Sequence, residues 1–171
     1  IVVKGWIEGS TLTWAVREAG ADGSSATLVG MLSVTLSGPE GSRTGEVGYW
    51  LTGAARGRGT MTRAVAALID MAFDPDGPLN LSALRWRCDI HDSGRGPVPN
   101  WASWKVAWSL GFQREGRVRR FLLNDGALHD GWIATLLPDD PREPQAPWDG
   151  PVDADGTVPL VAHDGVGEHE G

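Results

Sequence analysis

The apolar pattern of this sequence changes from strand-like to helical spacing between residues 52 and 60, and this change limits the fold class. Before it, Val-, Leu-, Thr- and Trp-rich stretches separated by turn residues predict three strands, at 11–17, 26–35 and 45–52. After it, apolar residues recur at helical spacing: Met61, Val65, Leu68, Ile69 and Ala72. A helix is therefore predicted over 60–73, ending before Pro75.

The C-terminal half adds a strand at 81–90, a loop at 92–99, a helix at 101–110 and a hairpin at 112–123 and 128–137. This order of elements predicts a mixed α+β fold, with a mostly antiparallel twisted sheet, flanking helices and one parallel strand pair. The parallel pair should join 45–52 to 83–90 through the first helix, by a right-handed crossover.

Charge is divided unevenly along the sequence. Residues 139–171 hold nine acidic residues and one basic residue, whereas residues 1–138 hold thirteen acidic and fourteen basic ones. We therefore predict one domain over 1–137 and an acidic, Pro/Gly-rich tail over 138–171. A nearly neutral body with an acidic tail argues against nucleic-acid binding.

Several classes of protein are excluded by what the sequence does not contain. It has no apolar run of 18 residues and no signal segment, so we expect no membrane contact and a cytoplasmic location. Its single cysteine, Cys88, cannot form an intrachain disulfide, and no Cys/His cluster predicts a metal site. We expect Cys88 to be a small buried apolar residue.

The segment Arg56–Met61 (RGRGTM), between a strand and a helix, carries the chemistry. Glycines let the backbone approach a ligand closely, and the helix start offers N–H groups and a positive dipole end to a pyrophosphate. Arg56 and Arg58 would add charge-assisted bonds. The alternative is a Gly-rich turn with exposed arginines that binds no ligand. The segment also resembles an RGG motif of RNA-binding proteins, but a single copy inside a folded unit disfavours RNA binding.

The wider order of motifs resembles the GNAT acyltransferases, most closely the branch of the ribosomal-protein N-terminal acetyltransferases. The series, over roughly residues 10–137, is GYWL, RGRG, NWAS, LGF, EG and GALHD. The resemblance implies transfer of an acetyl group from acetyl-CoA to a primary amine of a protein N-terminus or a small molecule. The alternatives are an antibiotic or amino-sugar acetyltransferase and a non-catalytic acyl-CoA-binding module.

The resemblance also implies the site residues. The pantetheine arm would lie in a splay between the two parallel strands, the pyrophosphate on 56–61, and Ser103 would protonate the leaving thiolate. The implied cofactor-binding residues are Tyr49, Trp50, Leu51, Arg56, Gly57, Arg58, Gly59, Thr60, Met61 and Asn100.

Four features depart from the family pattern. Met61 stands where the signature has Gly or Ala, so its side chain either crowds the phosphates or enters the core. The loop before Asn100 is longer than usual, and the two N-terminal helices that form much of the acceptor pocket are absent or truncated. Leu122 stands where close relatives place a catalytic glutamate, so that base is not carried over.

A general base must then come from elsewhere. Glu46, on the third strand, is the first candidate, with a solvated strand residue as the alternative. His91 and Asp92 are the second. For the pair His129-Asp130 we expect a structural hydrogen bond rather than catalysis.

Trp101, Trp104 and Trp108 are spaced to form one stripe on the second helix, with Val106, Ala107 and Leu110 facing the core. Such an aromatic stripe needs a cover. We expect the tail, anchored by Trp148 or Leu160, or a second subunit in a homodimer, in preference to an aromatic substrate.

Overall fold

The computed structural model describes residues 10–19, 26–94, 96–124 and 126–158, and they form a mixed α+β fold. The strands are β1 (Thr11–Glu18), β2 (Thr27–Ser37), β3 (Thr44–Leu51), β4 (Ala83–Asp92), β5 (Pro97–Pro99), β6 (Gln113–Asn124) and β7 (Ala127–Leu136). The helices are α1 (Thr60–Phe73) and α2 (Trp101–Ser109), and a single 3-10 turn covers Gly53–Ala55. Within these ranges the strands follow the order β1-β2-β3-β4-β7-β6, with β5 paired to β4. The predicted fold class is confirmed.

β3 and β4 form the parallel pair that the crossover predicted, whereas β1, β2 and β3 are antiparallel neighbours. The parallel register joins residues 44–47 of β3 to residues 83–86 of β4. β3 continues to Leu51 and β4 to Asp92. Only the first four residues of each strand therefore belong to this ladder.

Contacts divide the protein into two compact units. Unit 1 comprises the described residues within 1–86 and 136–140, and unit 2 comprises the described residues within 87–135 and 141–171. β4 therefore contributes to both. The predicted boundary between residues 137 and 138 concerns domain organisation and stays a prediction.

The core of unit 1 is built around α1, which has the bounds predicted from its spacing. α1 contacts β3, and alternate residues of the strands, Leu12, Val34 and Val47, are buried with it. Burying each such side chain stabilises the fold by roughly 1.5–3 kcal/mol. The buried apolar residues of α1 are Met61, Val65, Leu68, Ile69 and Ala72.

The segment 92–99 of unit 2, predicted to be a loop, contains strand β5. β5 is antiparallel to Ile90–Asp92 of β4. Three residues with a proline at each end do not carry the alternation by which strands are recognised in a sequence. The prediction of a loop was wrong there, and the backbone between β4 and α2 is held against β4.

The membership of the aromatic stripe on α2 was also predicted wrongly in part. Trp104 is only 4% exposed and belongs to the core, whereas Val106 is half-buried. At about 100° per residue, Trp104 lies about 60° around the helix from Trp101, on the side of the buried Ala107. The stripe therefore consists of Trp101 and Trp108.

The tail covers this stripe, as expected. The ring of Trp148 lies 5.8 Å from that of Trp101 and 5.2 Å from that of Trp108, centroid to centroid. The predicted anchor Trp148 is confirmed, and the alternative anchor Leu160 lies outside the described residues.

Candidate functional site

Two glycines in left-handed conformation shape the loop between β3 and α1. Gly57 has φ 74° and Gly59 has φ 69°, and Gly59 is the N-cap residue of α1. This conformation costs other L-residues about 1–2 kcal/mol. A Cβ on Gly59 would also lie 3.1 Å from Nη1 of Arg63. The sharp entry into α1 therefore depends on glycine.

The N-terminus of α1 suits an anion. Gly59 has no side chain that could bond the first-turn amides, and the first turn of α1 contains no acidic residue. N–H groups and the positive dipole end at such a terminus bind phosphate oxygens. Met61 is 4% exposed and part of the core. Its side chain therefore points away from the loop, and this departure from the family signature does not obstruct a phosphate.

The two loop arginines are held by partners within unit 1. Nε of Arg56 donates to the carbonyl oxygen of Leu51 at 3.3 Å. Nη2 of Arg58 donates to the Glu18 carboxylate at 2.8 Å and to the carbonyl oxygen of Ala54 at 3.1 Å. Phosphate binding by these arginines stays a prediction. A phosphate would compete with Glu18 for the Nη2 donor of Arg58, or would bind the other N–H groups of that guanidinium.

Glu18, at the end of β1, is the neighbour of this loop that sequence reasoning missed. One carboxylate oxygen accepts from Arg58, and the other accepts from Oγ1 of Thr60 at 2.9 Å. An open groove beside them is lined by β1 and α1, including Arg17 and Arg63. No local signal predicts this contact, because forty residues separate Glu18 from Arg58.

The end of β3 carries the residues expected to contact a pantetheine arm. Tyr49, Trp50 and Leu51 pair with β2 and lie beyond the end of the ladder with β4. The Tyr49 hydroxyl accepts from Nε1 of Trp86 at 3.0 Å, and Trp50 is 50% exposed. One edge of this segment is thus fixed by β2, at the place where pairing with β4 has stopped.

Glu46 lies earlier on β3, in the part that pairs on both sides. The register places it beside Thr35 of β2 and Arg85 of β4, and it is half-buried. By the two-residue period of a strand it shares a face with Gly48 and Trp50. Its role as a base stays a prediction.

In unit 2, Asn100 and Ser103 come together at the start of α2. Oδ1 of Asn100 accepts the backbone N–H of Ser103 at 2.9 Å, so Asn100 is the N-cap of the helix. The backbone N–H of Asn100 donates to the carbonyl oxygen of Asp89 at 3.1 Å, which ties the cap to β4. The two predicted residues are therefore joined by one bond at the first turn of α2.

His129 and Asp130 make the structural contacts expected of them. Nδ1 of His129 lies 3.1 Å from the Asp89 carboxylate. The Asp130 carboxylate accepts from the N–H of Arg120 at 3.0 Å and from Nε of Arg117 at 2.8 Å. These bonds, the backbone one foremost, hold the pKa of Asp130 below its ordinary value.

The second pair of candidate bases, His91 and Asp92, forms the end of β4 and pairs with β5. Oδ1 of Asp92 accepts the N–H of Gly94 at 2.9 Å, and His91 lies opposite Val98 in the register. Asp92 thus acts as a turn residue.

Cys88, on β4, is buried as predicted. Loss of solvation raises the pKa of its thiol to about 12. Within the described ranges, no group of three His, Cys, Asp or Glu side chains is placed to hold a metal ion. Neither helix in those ranges is both long and apolar enough to cross a bilayer.

A protein-family model matches more than half of the chain. The model of the acetyltransferase (GNAT) domain matches residues 3–113. A probable N-acetyltransferase of Bacillus subtilis, YjcK, is 31% identical over 100 residues, which are 57% of this chain and 49% of that protein. The chain therefore spans about half the length of the curated relative it matches.

Solved structures resemble the fold. Ribosomal-protein-S5-alanine acetyltransferase from Vibrio fischeri has a TM-score of 0.61 at 26% identity, covering 79% of this chain and 66% of that one. RimJ of Mycobacterium smegmatis, in complex with CoA-disulfide, has a TM-score of 0.59 at 24% identity, covering 77% and 55%.

Proposed function

The chain belongs to the GNAT acetyltransferase family, and from that premise we propose that it transfers an acetyl group from acetyl-CoA to a primary amine. The observation that carries the proposal is the loop with left-handed Gly57 and Gly59 opening α1. It presents first-turn amides where the family binds a pyrophosphate, and the buried Met61 leaves the loop open. The CoA-bound RimJ is consistent with this cofactor.

The cofactor would be held by three segments of this protein. Backbone amides of 56–61 bind the pyrophosphate, and backbone groups of 49–51 pair with the pantetheine arm. The side-chain NH2 of Asn100 donates to that arm while its oxygen caps α2. Acetyl-CoA would supply the acetyl group, and coenzyme A would leave as the thiolate when the C–S bond of the thioester breaks.

Two side chains would move the protons of the reaction. The Ser103 hydroxyl would donate its proton to the leaving thiolate and regain one from solvent, while the backbone N–H of the same residue keeps its bond to the α2 cap. Glu46 accepts the proton of the attacking amine, directly or through a water molecule. Fixing amine and thioester next to one another supplies a large share of the rate.

We propose a protein N-terminus as the first acceptor class, since the ribosomal-protein-S5-alanine acetyltransferase resembles the chain over most of its length. A small amine, such as an amino-sugar, is the second. The two classes separate in a single assay with several acceptors.

The test measures thiol release from acetyl-CoA with peptides that begin with Ala or Ser, with an amino-sugar antibiotic and without an amine. Release that needs one amine class supports the enzyme and identifies its acceptor. Coenzyme A binding without release on any amine would make the protein an acyl-CoA-binding module. Absence of coenzyme A binding in calorimetry would overturn the proposal.

A further inference from the structure

The segment that follows β7 crosses helix α2 as a strap, which we define as residues 141–151. At one end, the carbonyl oxygen of Pro141 passes so close to Gly111 that a Cβ there would lie 2.1 Å from it. Further along, Nε1 of Trp108 donates to the carbonyl oxygen of Ala146 at 2.8 Å. The strap is therefore bonded to the C-terminal half of α2.

Trp148 extends this contact to the first turn of the helix. Its ring meets Trp101 and Trp108 edge to face, at interplanar angles of 62° and 63°, and such pairs are worth more than their buried area alone. Its Nε1 donates to the carbonyl oxygen of Pro151 at 2.8 Å. A Cβ on Gly150 would lie 2.4 Å from the Trp148 ring. The strap turns tightly around this one side chain.

An ion pair between the β6–β7 hairpin and the strap holds the strap next to Trp148. Arg114 of β6 pairs with the Asp149 carboxylate, and its guanidinium lies 4.2 Å from the centre of the Trp132 ring. Trp132 in turn lies 5.1 Å from Trp101. Trp101 is thus held between Trp132 of β7 and Trp148 of the strap.

Helix α2 needs such support. Nine residues form a marginal helix on their own, and within α2 only Trp104 and Ala107 are buried. Trp101 follows the cap residue Asn100 and precedes Ser103 by two positions. A movement of Trp101 therefore moves the turn that carries both residues.

We infer that the strap is a positioning element for this site, and that Trp148 acts through Trp101 to hold Asn100 and Ser103 in place. The inference rests on the proposed function for its effect on turnover. The effect on α2 itself does not depend on any activity.

The test compares full-length Trp148→Ala with Val152→Ala, which shortens a 53% exposed apolar residue next to the strap. In Trp148→Ala we expect amide hydrogens of 101–109 to exchange at least ten-fold faster, by mass spectrometry. Turnover should fall ten- to a hundred-fold, and the KM for acetyl-CoA should rise by a smaller factor, since Asn100 would give the cofactor only one side-chain bond. Trp148→Phe, which keeps a ring, should recover most of the loss, and Val152→Ala should match the parent protein.

Should Trp148→Ala fail to melt cooperatively, Asp149→Asn takes its place, since it removes the pair with Arg114 without loss of volume. Unchanged exchange in α2 would overturn the inference. If the parent protein is active, faster exchange in α2 with unchanged turnover of the variant would also overturn it. If the parent protein releases no thiol from acetyl-CoA, that result counts against the proposed function. Faster exchange in α2 of the variant would then still support the role of the strap.

Discussion

The phosphate loop (residues 56–61) of unit 1 and helix α2 of unit 2 both carry residues of the proposed function, and they are built in different ways. The loop depends on contiguous residues, because Gly57 and Gly59 allow a backbone conformation that the next residue turns into a helix. α2 depends on distant residues, because Trp148 contacts Trp101 and Trp108 from a position at least forty residues further along the sequence. Backbone amides arranged by local sequence survive changes in the surroundings, whereas a short helix keeps its place only while its cover is present.

Gly59→Val tests the phosphate loop, and its expected effect is the largest. A β-branched residue at φ 69° is strained, and its side chain enters the loop, so coenzyme A affinity should fall more than about 100-fold in calorimetry. Gly41→Val is the matched control, since Gly41 has φ 82° and open space around it. Equal affinity losses in both variants would mean that strain, not the phosphate loop, causes the effect.

Ser103→Ala tests helix α2, because it removes a single hydroxyl group from the first turn. The bond between the helix cap and the backbone N–H of residue 103 is kept, so turnover should fall about 100-fold with unchanged coenzyme A affinity. Ser109→Ala, at the far end of the same helix, should be neutral, since its hydroxyl bonds to the carbonyl oxygen of Val106. A loss of affinity without a loss of turnover would give Ser103 a binding role instead.

Glu18→Gln tests whether a residue that is distant in sequence also affects ligand binding by the phosphate loop. Removing the carboxylate releases Arg58 for a phosphate, so coenzyme A should bind about two- to five-fold more tightly, the range expected of an exposed ion pair. The gain should shrink at high salt, since screening already weakens that pair. Asp70→Asn on α1 removes the same charge from an exposed position and serves as the control. Weaker binding in Glu18→Gln would show that Glu18 orients Arg58 rather than competing for it.

Cys88 offers the smallest expected signal. With a pKa of about 12, about one thiol in 10⁴ is ionised at pH 8, so the folded protein should not react with Ellman's reagent. The protein in guanidinium should show one reactive thiol. Rapid reaction in the folded state would mean that β4 is open to solvent at this position.

The sequence predicts each element to the extent that its own residues determine it. The bounds of α1 follow from five apolar residues at helical spacing, and the loop before it follows from its glycines. The contact of Glu18 with Arg58 depends on how β1 and α1 meet, and no residue near either one signals it. Trp104 shows the limit within a helix: its spacing fits the stripe with Trp101, but the position next to Ala107 decides that it is buried.

The strap also affects the order in which the protein can be completed during synthesis. A ribosome makes α2 first and adds residues 141–151 about two to eight seconds later, at ordinary rates of elongation. In that interval Trp101 and Trp108 have no Trp148 to meet, and the first turn of α2 lacks its cover. A nascent polypeptide stalled after β7 would therefore present an uncovered aromatic helix, which is the kind of surface that chaperones bind.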